Sequence, residues 1–246
     1  RCADLVSTWA VRMTQCPAYA ELVAATNHSF LRGASHPADM VLQAAALGLS
    51  AIGIADRNSV AGVVRAWVAV KKAKAENALP EGFRLVTGSR LVFADGTPDI
   101  VAYPKNRKGW GRLTRLLTVG NMRSNKGGCI LRFDDLAGYL EDLLLIILPQ
   151  STAEETNPHK KPVAYNHADG DEKLRLVETT PTCLDDILRR LKKLAPDRVW
   201  LGICMHGRGK DMRRLEEQRA RAKQCDVPIL AVNDALYADM AARPLH

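Results

Sequence analysis

Short runs of Val, Ile, Leu and Ala alternate along the chain with longer stretches in which apolar residues recur every three or four positions. The short runs suit strands and the longer spacing suits helices with one buried face, so the chain reads as repeated βα units. Leu22 to Thr26 is the first strand. A helix follows over about His36 to Leu47, with Ser35 placed to cap it, Pro37 in its first turn and Gly48 just past its end. Ala51 to Asp56 is the second strand, and about Val60 to Asn77 the second helix. Next come "FRLVTGSRLVF", "DIVAYP" and a basic helix from about Gly109 to Val119. The run "LLLIILP", 143 to 149, is apolar without alternation, which is the pattern of a central strand covered on both faces. A helix over 183 to 195, a strand from Val199 to Met205, a helix from Asp211 to Cys225 and a strand from Pro228 to Asn233 complete the order.

Six or seven such units predict a closed or nearly closed parallel barrel, with a doubly wound open sheet as the alternative. In both, chemistry belongs at the carboxyl ends of the strands. Those ends carry Thr26, Asp56, Arg90, Pro104, Pro149, Met205 and Asp234, a set poor in metal ligands. Residues 1–18 read as an N-terminal extension, and the polar, Pro- and Gly-containing stretch at about 151–180 as an irregular insertion.

Charge changes this picture at one place. The net charge is +8, and from Ile100 to Phe133 there is no Asp or Glu. Lys105, Arg107, Lys108, Arg112 and Arg115 all fall in that stretch, which makes it the candidate for contact with a DNA backbone. A solvated helix whose Trp110 packs inward is the plainer alternative. The six cysteines form no CxxC pair and fit no zinc spacing, so they read as reduced thiols of a cytoplasmic protein. No stretch approaches the length of a membrane span.

The motifs "YAEL", "SFLRGASHP", "ADRNSVAG", "VTGSRL", "DRVWL" and "VPILAVNDALY", in this order and spacing, resemble the PHP (polymerase and histidinol phosphatase) domain of bacterial C-family DNA polymerases. The wording of "SFLRGASHP" is most similar to the error-prone, damage-tolerant branch. The resemblance implies a distorted (β/α)7 barrel and a domain covering 19–246 of a longer polymerase. It also implies a metal site at the strand ends, built from His, Asp, Glu and Cys. Here the family's ligand positions hold Val23, Ala25, Asp56, Arg57, Arg90, Asp99, Pro149, Asp234 and Leu236. Only Asp56, Asp99 and Asp234 could ligate. Imidazoles suited to transition metals are missing, and two arginines stand in their company.

The expectation is therefore a degenerate site, with no catalytic residue and no cofactor in this domain. His28, His36 and His206 are read as packing or surface residues. The resemblance implies Mg in the polymerase core of the parent. It implies DNA, a sliding clamp and accessory mutagenesis proteins as partners of the whole enzyme. The expected role is structural, in translesion DNA synthesis. Two alternatives stay open. One is a residual metal-dependent phosphoesterase or 3′ to 5′ exonuclease using the three aspartates, with a hard cation such as Mg²⁺. The other is a phosphate-ligand binder using Arg57 and Arg90, although internal salt bridges from these arginines to the aspartates are the simpler expectation.

Overall fold

Alternating short strands and one-sided helices curl into a seven-stranded barrel in the computed structural model, which describes residues 18–125, 127–149, 183–205, 207 and 209–241. Most of the expected extension, the insertion at about 151–180 and His206 lie outside the described residues. The strands are β1 (Ala20–Ala24), β2 (Ala51–Arg57), β3 (Arg84–Leu91), β4 (Ile100–Pro104), β5 (Leu143–Ile147), β6 (Val199–Ile203) and β7 (Ile229–Ala231). The helices are α1 (Pro37–Ala46), α2 (Val63–Ala75), α3 (Arg107–Met122), α4 (Phe133–Ala137), α5 (Leu184–Leu194) and α6 (Asp211–Gln224). The strands lie side by side in chain order. Closure comes from the segment after β7, where Ala25 N donates to Ala235 O and Ala235 N to Val23 O, both at 2.9 Å.

The parallel expectation fails at one strand. β4 runs antiparallel to both β3 and β5, while the other neighbouring pairs are parallel. Only residues 92–99 separate β3 from β4, too few for the dozen or more residues of a parallel crossover, so the chain must turn straight back. This reversal has two consequences. Asp99, just before β4, arrives at the end of the barrel where the parallel strands finish. Pro104 pairs with Leu143, the first residue of β5, and so sits at the opposite end rather than among the strand ends where its sequence position suggested.

Two layers hold the barrel. Inside it, Val23, Ala55, Val101, Tyr103, Ile146, Leu148 and Val232 form an apolar filling. Outside, Met40, Val41, Ala44 and Ala45 of α1 pack on Ile52 and Ile54 of β2 and on Ala66 and Val70 of α2. The larger outer cluster joins Leu113, Leu116 and Leu117 of α3 to Leu143 and Leu145 of β5 and to Ile187, Leu188 and Leu191 of α5. These leucines recur at helical spacing and are fully or nearly fully buried, each contributing about 1.5–3 kcal/mol relative to exposure.

Tyr103 is the one polar side chain in the filling, and glycines make room for it. A Cβ on Gly53 would lie 2.4 Å from its hydroxyl, and one on Gly88 would lie 2.5 Å from its ring and 2.4 Å from Ala102 O. The hydroxyl donates to Leu22 O, and burial pushes its pKa up, so it remains a neutral donor.

Ser35 does not cap α1. The N-cap is His36, without a side-chain bond, while Ser35 Oγ accepts from Ala238 N at 2.8 Å and ties the start of α1 to the closing segment. Helix α4 was not expected from the pattern. It is short, and Asp135 fixes it by accepting from Arg132 N at 2.8 Å.

Candidate functional site

The finishing ends of β1, β2 and β3, the start of β4 and the segment after β7 converge on two polar clusters. The first is built around Asp56, the last buried residue of β2, which is 1 % exposed. Its Oδ1 accepts from Thr26 N at 2.7 Å and from Ser29 Oγ at 2.8 Å, and the Thr26 hydroxyl lies 3.0 and 2.9 Å from the two carboxylate oxygens. Gly62 closes over Oδ2 so tightly that a Cβ there would come within 2.5 Å of it and 3.3 Å of the His28 ring. The loop after β2 thus needs its glycine to reach the carboxylate. The role of Asp56 is to knit β1, β2 and the loop holding Ser29. Ser89 extends the stitching by donating to Asp56 O at 2.9 Å.

The second cluster is an ion-pair network around Arg90, which is 5 % exposed. Its Nε donates to Asp99 at 2.7 Å, and its Nη1 lies 2.9 and 3.1 Å from the two oxygens of Asp234. Arg32, from the loop after β1, pairs with Asp234 from the other side. Burial pulls the Arg90 guanidinium down, but the charges of Asp99 and Asp234 outweigh it and hold the group above its ordinary value. One cation therefore joins β3, the start of β4 and the segment that closes the barrel.

The remaining family ligand positions do not join these clusters. Val23 belongs to the apolar filling and Ala25 is 2 % exposed. Pro149 and Leu236 are half-buried, and Leu236 contributes a carbonyl that accepts from Ala34 N at 2.8 Å. Arg57 corrects the expectation of an internal salt bridge. Its side chain is exposed and takes part in no ion pair among the described residues, because β2 ends there and its backbone N–H is turned to Ser29 Oγ at 3.0 Å. His36 is exposed, with Asn27 Nδ2 2.9 Å from its Nδ1, and His28 is half-buried beside Gly62.

Three participants were not anticipated. Arg32 and Ser29 lie in "SFLRG", but their partners are distant in sequence and nothing local marks them. The third, Glu21, is 3 % exposed and accepts from Val23 N at 2.7 Å and from Tyr19 Oη and Asn233 N, both at 2.8 Å. Burial raises its pKa above the usual carboxyl range. A Glu between apolar strand residues is the only signal that could have found it.

The donor set does not fit the metal centre that the fold family implies. Asp56 already accepts hydrogen bonds from Thr26 and Ser29, Asp99 and Asp234 are held by guanidiniums, and the first-strand positions are Val23 and Ala25. A divalent ion entering here would first have to displace Arg90 from two carboxylates.

The basic segment lies elsewhere. α3 starts where β4 ends, at the opposite end of the barrel, with Lys105, Arg107, Lys108 and Arg115 exposed. Arg112 is engaged by Glu141 and, at 2.7 Å, by Asp142. Trp110 is half-buried.

The fold is shared by solved structures whose identity to this chain is low. A protein from Bifidobacterium adolescentis named as a metal-dependent phosphoesterase aligns with a TM-score of 0.53 at 13 % identity, covering 89 % of this chain and 88 % of its own. An amidohydrolase from Chromobacterium violaceum aligns with a TM-score of 0.52 at 12 % identity, with the same coverages of 89 % and 88 %. The PHP domain family model matches residues 21–203, and the chain belongs to that family.

Among curated relatives, the chain is 44 % identical over 227 residues to error-prone DNA polymerase 1 of Rhizobium meliloti (strain 1021). It is 40 % identical over 233 residues to the error-prone DNA polymerase of Caulobacter vibrioides. These matches cover 92 % and 93 % of this chain but only 17 % and 18 % of the relatives, so the chain spans less than a fifth of their length.

Proposed function

We propose that this chain is the PHP module of an error-prone DNA polymerase, and that it serves the enzyme as a structural element rather than as a metal-dependent hydrolase. The relationship to error-prone polymerases supports the first half. The observation that carries the second is Arg90. Its guanidinium lies between Asp99 and Asp234, two of the three carboxylates at the strand ends that could have ligated a cation. A permanent organic cation, covalently held, pairs with both carboxylates and bridges three segments, and Arg32 on Asp234 completes the charge balance. The barrel thereby keeps the cross-link of a metal site and loses the open coordination position that hydrolysis requires. DNA synthesis, the core Mg, the sliding clamp, accessory mutagenesis proteins and a cytoplasmic location belong to the whole enzyme in this reading. Among the described residues no helix is long and apolar enough to cross a membrane.

The test is metal analysis of the purified chain after gel filtration, paired with melting curves in the presence and absence of a chelator. A substoichiometric transition-metal content and an unchanged melting temperature are expected. One or more equivalents of metal, with stability lost on chelation, would overturn the structural reading.

A further inference from the structure

Helix α3 turns Leu113, Leu116, Leu117 and Gly120 into the core and leaves a second face that the barrel does not use. Lys108, Gly111, Arg115 and Thr118 recur at intervals of three and four, so they form one stripe along the helix. Gly138 and Tyr139, just after α4, face this stripe, and together with Arg112 and Thr114 they line an open groove of about 750 Å³.

The helix side of that groove carries only positive charge, and the carboxylates beside it come from the segment before β5. No Asp or Glu occurs from Ile100 to Phe133. Arg112 is paired with both Glu141 and Asp142, which more than offset its charge, whereas Lys108 and Arg115 are exposed and form no ion pair among the described residues, so the groove stays positive through these two. The Thr114 and Thr118 hydroxyls donate to helix carbonyls, at 3.0 Å to Trp110 O and 2.9 Å to Thr114 O. Lys108 and Arg115 are thus left as the groups that attract an anion. They are seven positions apart, or about 10 Å along the axis. Between them the floor is low, since a Cβ on Gly111 would meet nothing within 4 Å.

We propose that this groove is a track for the sugar–phosphate backbone of a single nucleic-acid strand, with Lys108 and Arg115 each contacting one phosphate and Arg112 held back by its carboxylates. Only two cations on one helix face are free to contact phosphate, which suits one strand rather than the two backbones of a duplex. The contacts are to backbone alone, so the track reads no sequence. Nucleic acid, among polyanions, is chosen on the polymerase reading. The track starts at the barrel end opposite Arg90 and runs along the outer face of α3, sharing no residue with the Arg90 cluster, so it does not depend on whether that cluster binds metal.

The experiment is fluorescence anisotropy of the 246-residue chain with a labelled oligothymidylate, between about 50 and 200 mM KCl. Two lost contacts should flatten the slope of log K against log salt by about 1.4 in Lys108→Glu/Arg115→Glu. The neutral pair Lys108→Gln/Arg115→Gln should flatten it equally. Lys72→Glu/Lys74→Glu on α2, which makes the same change in net charge, should leave the slope as it was. All four substituted residues are exposed, and matched melting curves establish that the three variants fold. Equal flattening in the α2 control, no measurable binding at the lowest salt, or tighter binding of duplex than of single strand overturns the track. Equal competition by polyglutamate refutes nucleic acid as its occupant. A retained metal would defeat the structural reading while leaving these slopes unchanged.

Discussion

Replacing Arg90 by Met keeps most of the side chain's length and removes its charge and its donors. Asp99 would then be left without its partner and Asp234 with Arg32 alone, their side chains being only 13 % and 21 % exposed. Breaking a buried pair from one side costs about 3–5 kcal/mol. The lower end applies here, because Asp234 retains Arg32 and both carboxylates keep some contact with water. The expected loss is therefore about 3 kcal/mol, which at an m-value of about 2 kcal/mol per molar urea moves the unfolding midpoint by about 1.5 M. Equilibrium urea unfolding at neutral pH, with the m-value checked for constancy, reads this directly. The source of the cost is separable. If it is stranded charge rather than lost packing, Arg90→Met/Asp99→Asn should be more stable than Arg90→Met alone. A loss below about 1 kcal/mol in the single variant, or no recovery in the double variant, would refute the cross-link.

Arg57→Ala should change stability by less than about 0.5 kcal/mol in the same assay, since the side chain is exposed and unpaired among the described residues. A larger loss would mean that Arg57 enters the cluster after all. Gly53→Ala should cost about 1–3 kcal/mol because its Cβ would come within 2.4 Å of the Tyr103 hydroxyl. Tyr103→Phe in the same chain should return part of that cost, and purely additive losses would argue against the clash. Burial pushes the Cys129 thiol up to about 11, so at pH 8 its thiolate fraction is on the order of 0.001. In peptide mapping after brief alkylation, exposed Cys183 should be modified well before Cys129, and equal rates would contradict the packing of Cys129.

How much of this was legible in the chain depends on the distance over which each interaction acts. The strands and most helices were readable because their signal is local: apolar runs for β2 and β5, and leucines at helical spacing for α3 and α5. The antiparallel β4 could have been inferred from the eight residues separating it from β3, but strand direction leaves no mark in hydropathy. Resemblance to the family singled out Asp56, Asp99 and Asp234, and the structure places these three at the strand ends, engaged in hydrogen bonds and ion pairs. It also placed Arg57 and Arg90 together, and here it failed. The two arginines are directly paired in register across β2 and β3, yet Arg90 is 5 % exposed and Arg57 lies outside. Which of two adjacent-strand arginines turns inward is decided by the carboxylates available. Asp99 and Asp234 reach only one of them, a fact of tertiary geometry.

The position of the Arg90 network gives it a specific consequence for how the barrel opens. Asp234 immediately precedes Ala235, the residue whose N–H and C=O bond to Val23 O and Ala25 N across the closing seam. β7 is only three residues long, so that seam has little sheet to support it. Arg90 and Arg32 hold Asp234 from β3 and from the loop after β1, which places two cations on the flanks of a weak closure. If the guanidinium replaces a metal's mechanical role, its removal should loosen the seam before it loosens the rest. Native-state hydrogen exchange at low denaturant can resolve this, because local openings are measured separately from global unfolding. In Arg90→Met the amides of Ala25 and Ala235 should lose protection beyond the global loss of stability, while those inside β2, such as Ile54, should fall only with global stability. Uniform loss across both sets would mean that Arg90 stabilises the barrel as a whole without fastening its seam.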